Sequence, residues 1–193
     1  MKVIMATSNR DKVREIRQIL EGTDIEVLSM KEAGITCDIE ETGTTFEENA
    51  AIKAGTIRDL TGLLTVADDS GLVIDYLDGA PGVYSSRFMG EHTPYPEKNQ
   101  AILDKMKDVP DEQRSARFVC AMAIAWPDGH MDICKETMEG RIARQIAGDG
   151  GFGYDPIFFL PEYGCTSAEL TADEKNAISH RGKALRKAVS LLK

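Results

Sequence analysis

Apolar residues near the start of the chain switch from the spacing of a strand to the spacing of a helix. Lys2 to Ala6 is a short apolar run typical of a strand, and Thr7-Ser8-Asn9 ends it. From Arg10 the apolar positions recur at helical spacing until Gly22 ends the pattern. Ile25 to Leu28 predicts a second short strand. The order is therefore strand, polar turn, helix and strand.

A capping box begins the next predicted helix. Thr45-Phe46-Glu47-Glu48 has the S/T-x-x-E form, in which two side chains satisfy backbone N–H groups at the helix start. The helix should continue to about Leu60. Its expected buried stripe is Phe46, Ala50, Ile57 and Leu60. Leu63 to Ala67 predicts a strand buried on both faces, and we expect Asp68-Asp69-Ser70-Gly71 to form the turn that ends it.

The second half of the chain predicts a hairpin and two closing helices. Arg117 to Trp126 and Met131 to Thr137 are rich in strand formers and flank a turn signal. Pro156 to Leu160 resembles another strand, and helices should begin near Thr171 and Ser179. Strands and helices interleave, but the hairpin breaks a strict βαβ order. The pattern predicts an α/β fold with a mixed central sheet flanked by helices, formed by residues 1–193 as a single domain.

Charge and cysteine content narrow the function classes. The formal net charge is −9 with no dense basic patch, which argues against a nucleic-acid partner. The basic stretch from His180 to Lys187 is interpreted as a helix start followed by a solvated face. The four cysteines lack the spacing of a zinc site and are expected to be reduced thiols. No apolar run is long enough for a membrane span or a signal segment, so we expect a cytoplasmic protein.

The first polar turn is a candidate phosphate site. It joins a strand to a helix, and a helix N-terminus offers backbone N–H groups and a positive dipole end to an anion. Lys12 adds a point charge for phosphate oxygens. The candidate residues are Thr7, Ser8, Asn9, Arg10, Asp11 and Lys12. The alternative is a capped helix with a surface lysine.

Two acidic pairs are candidates for a magnesium site. Asp68 and Asp69 follow a predicted core strand, and Glu40 and Glu41 precede a predicted helix. Mg²⁺ is usually held by one or two carboxylates together with substrate phosphates. The sequence does not decide which member of either pair faces the metal. The alternative for Asp68-Asp69 is an ordinary turn or helix cap.

Two further segments suit recognition of a flat base. Gly150 to Pro156 combines flexible glycines with Phe152, Tyr154 and Asp155, so one of the two aromatic rings can stack on a base. A glycine-rich turn with core aromatics is the alternative. Lys175, His180 and Arg181 offer hydrogen-bond donors to a base carbonyl or a phosphate, with solvated charges as the alternative.

Taken together, these segments closely resemble the inosine triphosphate pyrophosphatase family, whose members clear the non-standard purine triphosphates ITP, dITP and XTP. Six blocks in family order carry the resemblance. They are Ala6-Thr7-Ser8-Asn9 with Lys12 and Glu15, Glu41 to Phe46 with Glu48-Asn49-Ala50 and Lys53-Ala54, Ala67 to Leu72, Gly79 to Ser85, Gly150 to Pro156, and Ile178 to Leu185. One departure is Ser8, where glycine is frequent in the family.

The resemblance implies an elongated, two-lobed fold with a nucleotide cleft between the lobes, a homodimer and Mg²⁺ as cofactor. It implies that Thr7 to Lys12 hold the triphosphate and that Ser70 contacts the substrate. Glu41 and Asp69 would bind Mg²⁺, with Asp69 also acting as the base toward the attacking water. The implied base pocket consists of Phe152, Gly153, Tyr154, Asp155, Lys175, His180 and Arg181.

The expected reaction is hydrolysis of a 6-oxo purine triphosphate to the monophosphate and pyrophosphate. Donors aimed at a 6-oxo group stay unpaired against a 6-amino group, which penalises ATP. One alternative is a pyrophosphatase for other modified or pyrimidine triphosphates. The other is a nucleotide-binding module without catalysis, against which intact Lys12, Glu41 and Asp69 argue.

Overall fold

The computed structural model describes residues 1–192, and its helices and strands interleave. The strands are β1 (Lys2–Met5), β2 (Glu26–Ser29), β3 (Thr65–Ile74), β4 (Ser115–Ala125), β5 (Met131–Ile142), β6 (Phe158–Leu160) and β7 (Cys165–Thr166). The α-helices are α1 (Arg10–Ile19), α2 (Phe46–Thr61), α3 (Tyr95–Lys105), α4 (Ala172–Ile178) and α5 (His180–Leu191). Among these residues, no helix is both long and apolar enough to cross a bilayer.

Hydrogen bonds join the strands in the order β2-β1-β3-β4-β5-β6-β7. The strand β1 pairs in parallel with both β2 and β3, whereas β6 pairs antiparallel with both β5 and β7. Parallel pairs need crossover connections, which α1 and α2 provide, and antiparallel pairs need only short turns. The predicted mixed sheet with helices is therefore confirmed.

The chain divides into two compact units. The first comprises Met1–Ser70, Cys120–Glu136 and the C-terminal segment from His180. Its core combines side chains from strands with those of α1 and α5. That core includes Val3, Met5, Ile16, Val66, Met122, Ile124, Leu185 and Ala188. The Thr45 capping box is present as predicted, and Gly62 ends α2 in the left-handed conformation at φ 69°.

The second unit comprises Gly71–Val119 and Thr137–Ser179. Its core packs apolar side chains of α3 against those of strands and of a short 3-10 turn. That core includes Leu72, Ile74, Ile102, Met106, Phe118, Ile142, Ile157 and Phe158. No helix was predicted for 95–105, although Pro96 in the first turn of α3 suits a helix start. Thr171 caps α4 with a capping box, at the predicted helix start.

Two expectations about the middle of the chain are wrong. Asp68-Asp69-Ser70-Gly71 does not form a turn, because β3 continues through it to Ile74. Acidic residues are rare inside strands, and here buried cations stabilise them, as described below. Leu60 is 62% exposed, whereas Phe46, Ala50 and Ile57 are buried as predicted. The helix turns Leu60 away from the core near its C-terminal end.

Candidate functional site

Asp68 and Asp69 point to opposite faces because they are consecutive residues of the strand β3. Both are buried, with Asp68 completely enclosed and Asp69 6% exposed. The hydrogen-bonding pattern follows this alternation, since Ser70, two residues after Asp68, donates its hydroxyl to Asp68 Oδ2 at 3.1 Å. The two carboxylates therefore belong to two different clusters within the first unit.

The Asp68 cluster joins three elements of the first unit. Lys12 Nζ of α1 lies 3.0 Å from Asp68 Oδ2, and Arg181 Nε of α5 lies 3.3 Å from the same oxygen. Arg181 also donates to Glu15 Oε2 at 2.5 Å and to Ser70 Oγ at 2.9 Å. Two buried carboxylates thus share two cations. This cluster fixes Lys12, Ser70 and Arg181, three residues predicted to bind substrate.

Charge stabilises the ionised form of Asp68. Burial raises the pKa of the Asp68 carboxyl, but the charges of Lys12, Arg181 and Lys53 outweigh burial and hold that pKa well below its ordinary value. The pKa of Arg181 is raised despite its burial, because Asp68 and Glu15 face it. Asp68 therefore stays ionised at every physiological pH. A permanently ionised, ion-paired carboxylate suits a structural role better than proton transfer.

The Asp69 cluster contains Glu41 and Lys53. Lys53 Nζ of α2 donates to Asp69 Oδ1 at 2.9 Å and to Glu41 Oε1 at 3.4 Å. Glu41 is partly buried, whereas its neighbour Glu40 is exposed. Asn49 of α2 accepts the Gly43 N–H at 2.8 Å, which ties the loop that carries Glu41 to the same helix. Between the two adjacent acids, Glu41 is the one that the fold joins to Asp69.

Asp69 has an oxygen available for a ligand. Its Oδ2 atom is buried and has no hydrogen-bond partner among the described residues. Burial raises the pKa of Asp69, and the attraction of Lys53 does not cancel that effect. The pKa of Lys53 is itself raised, because its carboxylate partners outweigh its burial. Asp69 is thus more basic than an ordinary aspartate, which suits proton abstraction from water.

The donor set of this cluster fits a hard divalent cation. Carboxylate oxygens are the ligands that Mg²⁺ takes, and the unpartnered Asp69 Oδ2 and the Glu41 carboxylate supply them. Among residues 1–192, no group of three or more His, Cys, Asp or Glu side chains is arranged to hold a metal. A cation at this position therefore needs further oxygen ligands, such as substrate phosphates and water.

The predicted phosphate turn is a capped helix start. Asn9 Oδ1 accepts the backbone N–H groups of Asp11 at 2.9 Å and Lys12 at 3.1 Å, and Thr7 Oγ1 accepts the Asn9 N–H at 3.1 Å. The expectation that this helix start offers its N–H groups to an anion is wrong for these three, because local side chains accept hydrogen bonds from them. Ser8, Asn9 and Arg10 are exposed. Their side chains and the Lys12 ammonium remain the phosphate-binding candidates of this turn.

The second unit has its own buried polar cluster around Asp155. Lys175 Nζ donates to Asp155 Oδ2 at 2.5 Å, the Phe152 N–H donates to Oδ2 at 2.9 Å, and Ser167 Oγ donates to Oδ1 at 2.7 Å. The Lys175 ammonium lies 5.0 Å from the centre of the Phe152 ring. A Cβ at Gly151 would lie 2.1 Å from Asp155 Oδ2, so this close approach requires glycine.

The two aromatic residues of this segment have different environments. Tyr154 is 3% exposed, packs edge-on against Tyr95 with ring centres 5.2 Å apart, and donates its hydroxyl to Ser85 O at 2.5 Å. Burial raises the pKa of Tyr154. Phe152 is only partly buried. Of the two rings that the sequence leaves open, Tyr154 is a core residue, and Phe152 remains the candidate for stacking.

Most predicted site residues fall into these clusters, each within its own unit. Lys12, Ser70 and Arg181 meet at Asp68, Glu41 and Asp69 meet at Lys53, and the second unit brings together Phe152, Asp155 and Lys175. His180 is buried in the first turn of α5. The basic stretch is a helix start followed by the exposed Lys183, Arg186 and Lys187, as predicted, whereas the alternative of solvated charges is wrong for the buried His180 and Arg181.

Sequence reasoning assigned no role to Lys53 or Glu15, although both belong to the clusters. A signal for Lys53 was present, because it lies three residues after Ala50 and four before Ile57, within the apolar stripe of α2. Arg181 occupies a similar position ahead of Ala184 and Leu185 on α5. A charged residue at an apolar-stripe position is buried, and it therefore needs a partner of opposite charge.

Comparison with known proteins adds independent findings. The sequence matches the model of the Ham1 family over residues 3–191. A dITP/XTP pyrophosphatase of Clostridium perfringens (strain 13 / Type A) is 46% identical over 100% of this chain and 97% of the relative. One from Desulforamulus reducens is 47% identical over 100% and 96%. The structure of a HAM1 protein from Coxiella burnetii superimposes with a TM-score of 0.89 at 43% identity, covering 100% of this chain and 98% of that protein.

Proposed function

This chain belongs to the Ham1 family, and from that premise we propose that it hydrolyses dITP, XTP and ITP to the nucleoside monophosphate and pyrophosphate. The relatives named dITP/XTP pyrophosphatases match it over nearly their whole length. The observation that carries the proposal is the buried group of Glu41, Lys53 and Asp69, with an unpartnered carboxylate oxygen on Asp69. Such a group suits hydrolysis of a phosphoanhydride in the presence of a divalent cation.

Asp69 is the proposed general base. Water attacks the α-phosphorus, the bond from that phosphorus to the bridging oxygen of the β-phosphate breaks, and pyrophosphate leaves. The proton of the attacking water passes to the Asp69 carboxylate, whose raised pKa favours its acceptance. Lys53 keeps Asp69 ionised before the reaction, because its ammonium lies 2.9 Å from Asp69 Oδ1.

Glu41 and Asp69 are the proposed ligands of Mg²⁺, together with substrate phosphates. When bound, the cation supplies positive charge that offsets the phosphoryl oxygens and favours attack by water. Lys12 and the side chains of Thr7 to Arg10, with Asp11 within the same turn, are proposed to hold the triphosphate. Lys12 is fixed beside Asp68, so its ammonium needs little reorganisation when substrate arrives.

Base recognition is assigned to Phe152, Asp155, Lys175, His180 and Arg181, and each contribution is argued from local geometry. Phe152 offers a partly exposed ring for stacking, and the Asp155 carboxylate, paired with Lys175, holds the Phe152 backbone N–H. His180 and Arg181 are proposed to donate to the base carbonyl. A 6-amino group cannot accept these hydrogen bonds, so dATP would leave buried donors unpaired.

A substrate panel tests the proposal. We expect purified protein with Mg²⁺ to convert dITP, XTP and ITP to monophosphate and pyrophosphate, with kcat/KM for dATP and dTTP lower by at least about 10²-fold. Excess EDTA should stop the reaction, and Asp69→Asn should lower kcat by on the order of 10²–10⁴-fold.

Three outcomes of the same panel would contradict the proposal. Equal use of dATP would indicate an unselective phosphohydrolase, and preference for dTTP would indicate a pyrimidine triphosphate pyrophosphatase. Tight binding of dITP without turnover would indicate a binding module. A homodimer, a cytoplasmic location and the lack of a nucleic-acid partner remain predictions. The predicted location is supported by the four cysteines, which are all free thiols.

A further inference from the structure

Three residues of α3 contact either Ser86 or Gly153, and all of these residues lie within the second unit. Asn99 Nδ2 donates to Gly153 O at 3.1 Å, and Lys98 Nζ donates to Ser86 O at 2.7 Å. The ring of Tyr95 lies against Gly153, where an added Cβ would be 3.6 Å from it. Residues at i, i+3 and i+4 share one helix face, so a single face of α3 makes all three contacts.

Asn99 contacts the carbonyl between Phe152 and Tyr154 directly. Asn99 is 2% exposed, so the donor of the hydrogen bond to the partly exposed Gly153 O is shielded from solvent. Gly153 has φ +65°, a left-handed conformation that leaves the local backbone dependent on its contacts. An amide donor held on a rigid helix fixes such a backbone more firmly than water does.

Lys98 contacts Tyr154 indirectly, through the turn that contains Ser85 and Ser86. It fixes Ser86 O, and the preceding carbonyl, Ser85 O, accepts the Tyr154 hydroxyl at 2.5 Å. The turn therefore joins Lys98 to Tyr154. Together with Asn99, this contact gives α3 two routes to the segment Phe152–Asp155.

Burial of the Lys98 ammonium is not explained by a gain in folding stability. Lys98 is 1% exposed, and among residues 1–192 no carboxylate pairs with it. The Tyr95 ring, 4.9 Å away, is its other electrostatic partner. A buried ammonium without a counter-ion carries a large desolvation cost, which a methionine of similar length would avoid.

We propose that α3 positions the base-binding segment Phe152–Asp155, and that Asn99 and Lys98 are positioning residues that set selectivity for the base. This inference rests on the proposed function, because selectivity has meaning only if the segment meets a base. The two residues act through Gly153 and Tyr154 and do not themselves touch the nucleotide. The residues proposed to bind phosphate and metal lie in the other unit. Substitution of Asn99 or Lys98 should therefore change recognition of the base.

The first experiment compares Asn99→Ala with Gln100→Ala, an exposed neighbour on α3 whose side chain donates to Asp104 Oδ1 at 2.9 Å. We expect Asn99→Ala to raise KM for dITP by about tenfold, the effect of one lost hydrogen bond, with kcat within about twofold. The ratio of kcat/KM for dITP to that for dATP should fall. Gln100→Ala should keep the wild-type values. A lower melting temperature with an unchanged KM and ratio would overturn the proposal.

A second variant separates an effect on kinetics from an effect on folding stability. Lys98→Met should leave the melting temperature equal to or above that of wild type, because the desolvation cost disappears and Ser86 is exposed to water. Its KM for dITP should nevertheless rise, and its selectivity ratio should fall. Wild-type kinetics with Lys98→Met would overturn the role of this residue.

Hydrogen exchange of the free protein separates this inference from the proposed function. Amides of residues 152–155 should exchange faster in Asn99→Ala than in wild type or Gln100→Ala, whichever nucleotide the enzyme uses. Unchanged exchange would contradict the positioning role even if dITP is the substrate. Faster exchange in a protein that does not hydrolyse dITP would support the positioning role and contradict the proposed function alone.

Discussion

Burial and a neighbouring ammonium oppose each other at Asp69. Burial raises the pKa of its carboxyl, whereas Lys53, 2.9 Å away, lowers it. The net direction is upward, so Asp69 is a stronger base than an exposed aspartate. Asp68, one residue earlier, has its pKa lowered because two further cations face it. Two adjacent carboxylates therefore acquire different roles from their surroundings.

A change at Lys53 tests this balance. Lys53→Met removes the charge that lowers the pKa of Asp69, so that pKa rises further. The acid limb of kcat/KM for dITP should move to higher pH, and kcat at neutral pH should fall by on the order of 10²-fold. Lys135→Met is the matched control, since Lys135 pairs with Glu47 at 2.7 Å but is exposed. A pH profile that coincides with that of wild type would exclude Asp69 as the titrating base.

For single residues, the sequence predicted which side chains belong to the site better than it predicted their contact partners. The acids and lysines of the clusters were visible as candidates, and the choice between Glu40 and Glu41 required the contact with Lys53. Arg181 bonds to Glu15 and Asp68, residues more than a hundred positions away along the chain. No local pattern specifies such a pairing, because it depends on how α1, β3 and α5 pack.

Among the elements of the first unit, α1, β3 and α5 are joined through one guanidinium. Arg181 of α5 bonds to Glu15 of α1 and to Asp68 of β3, and all three side chains are buried. Removing one partner of a buried ion pair leaves an uncompensated charge. The network therefore stabilises the fold chiefly by satisfying charges that are already buried.

This argument predicts a large effect on stability. Arg181→Met should lower the free energy of unfolding by about 3–5 kcal/mol, because Asp68 and Glu15 lose a shared cation. Arg186→Met on the same helix is exposed and should change it by less than about 0.5 kcal/mol. Urea unfolding at neutral pH measures both. Similar stability of the two variants would show that the remaining cations or water satisfy both carboxylates.

Elements with strong local signals were predicted well. The capping boxes at Thr45 and Thr171 mark α-helix starts because their hydrogen bonds form between residues three positions apart. The strand β3 was predicted to end too early, since Asp68 and Asp69 look like turn residues when their buried cationic partners are unknown. The helix α3 has weaker local signals, and packing in the second unit determines it.

At the scale of the whole molecule, hydrophobic patterning predicted the α/β class and the mixed sheet, and family membership confirms the resemblance in sequence. The chain places phosphate and metal candidates in one unit and the segment Phe152–Asp155 in the other. The segment proposed to stack on the base therefore lies outside the unit that carries the proposed catalytic residues. The predicted cleft, elongated shape and dimer depend on arrangements that no local pattern specifies, and they remain predictions.

The most direct test of the account is hydrolysis of dITP in ¹⁸O-labelled water with Mg²⁺, followed by mass spectrometry of both products. Attack by water at the α-phosphorus places one labelled oxygen in dIMP and leaves pyrophosphate unlabelled. The account predicts that result. Label in pyrophosphate would show attack at the β-phosphorus, and orthophosphate with dIDP would show cleavage of the terminal phosphate. Either of these results would contradict the proposed reaction.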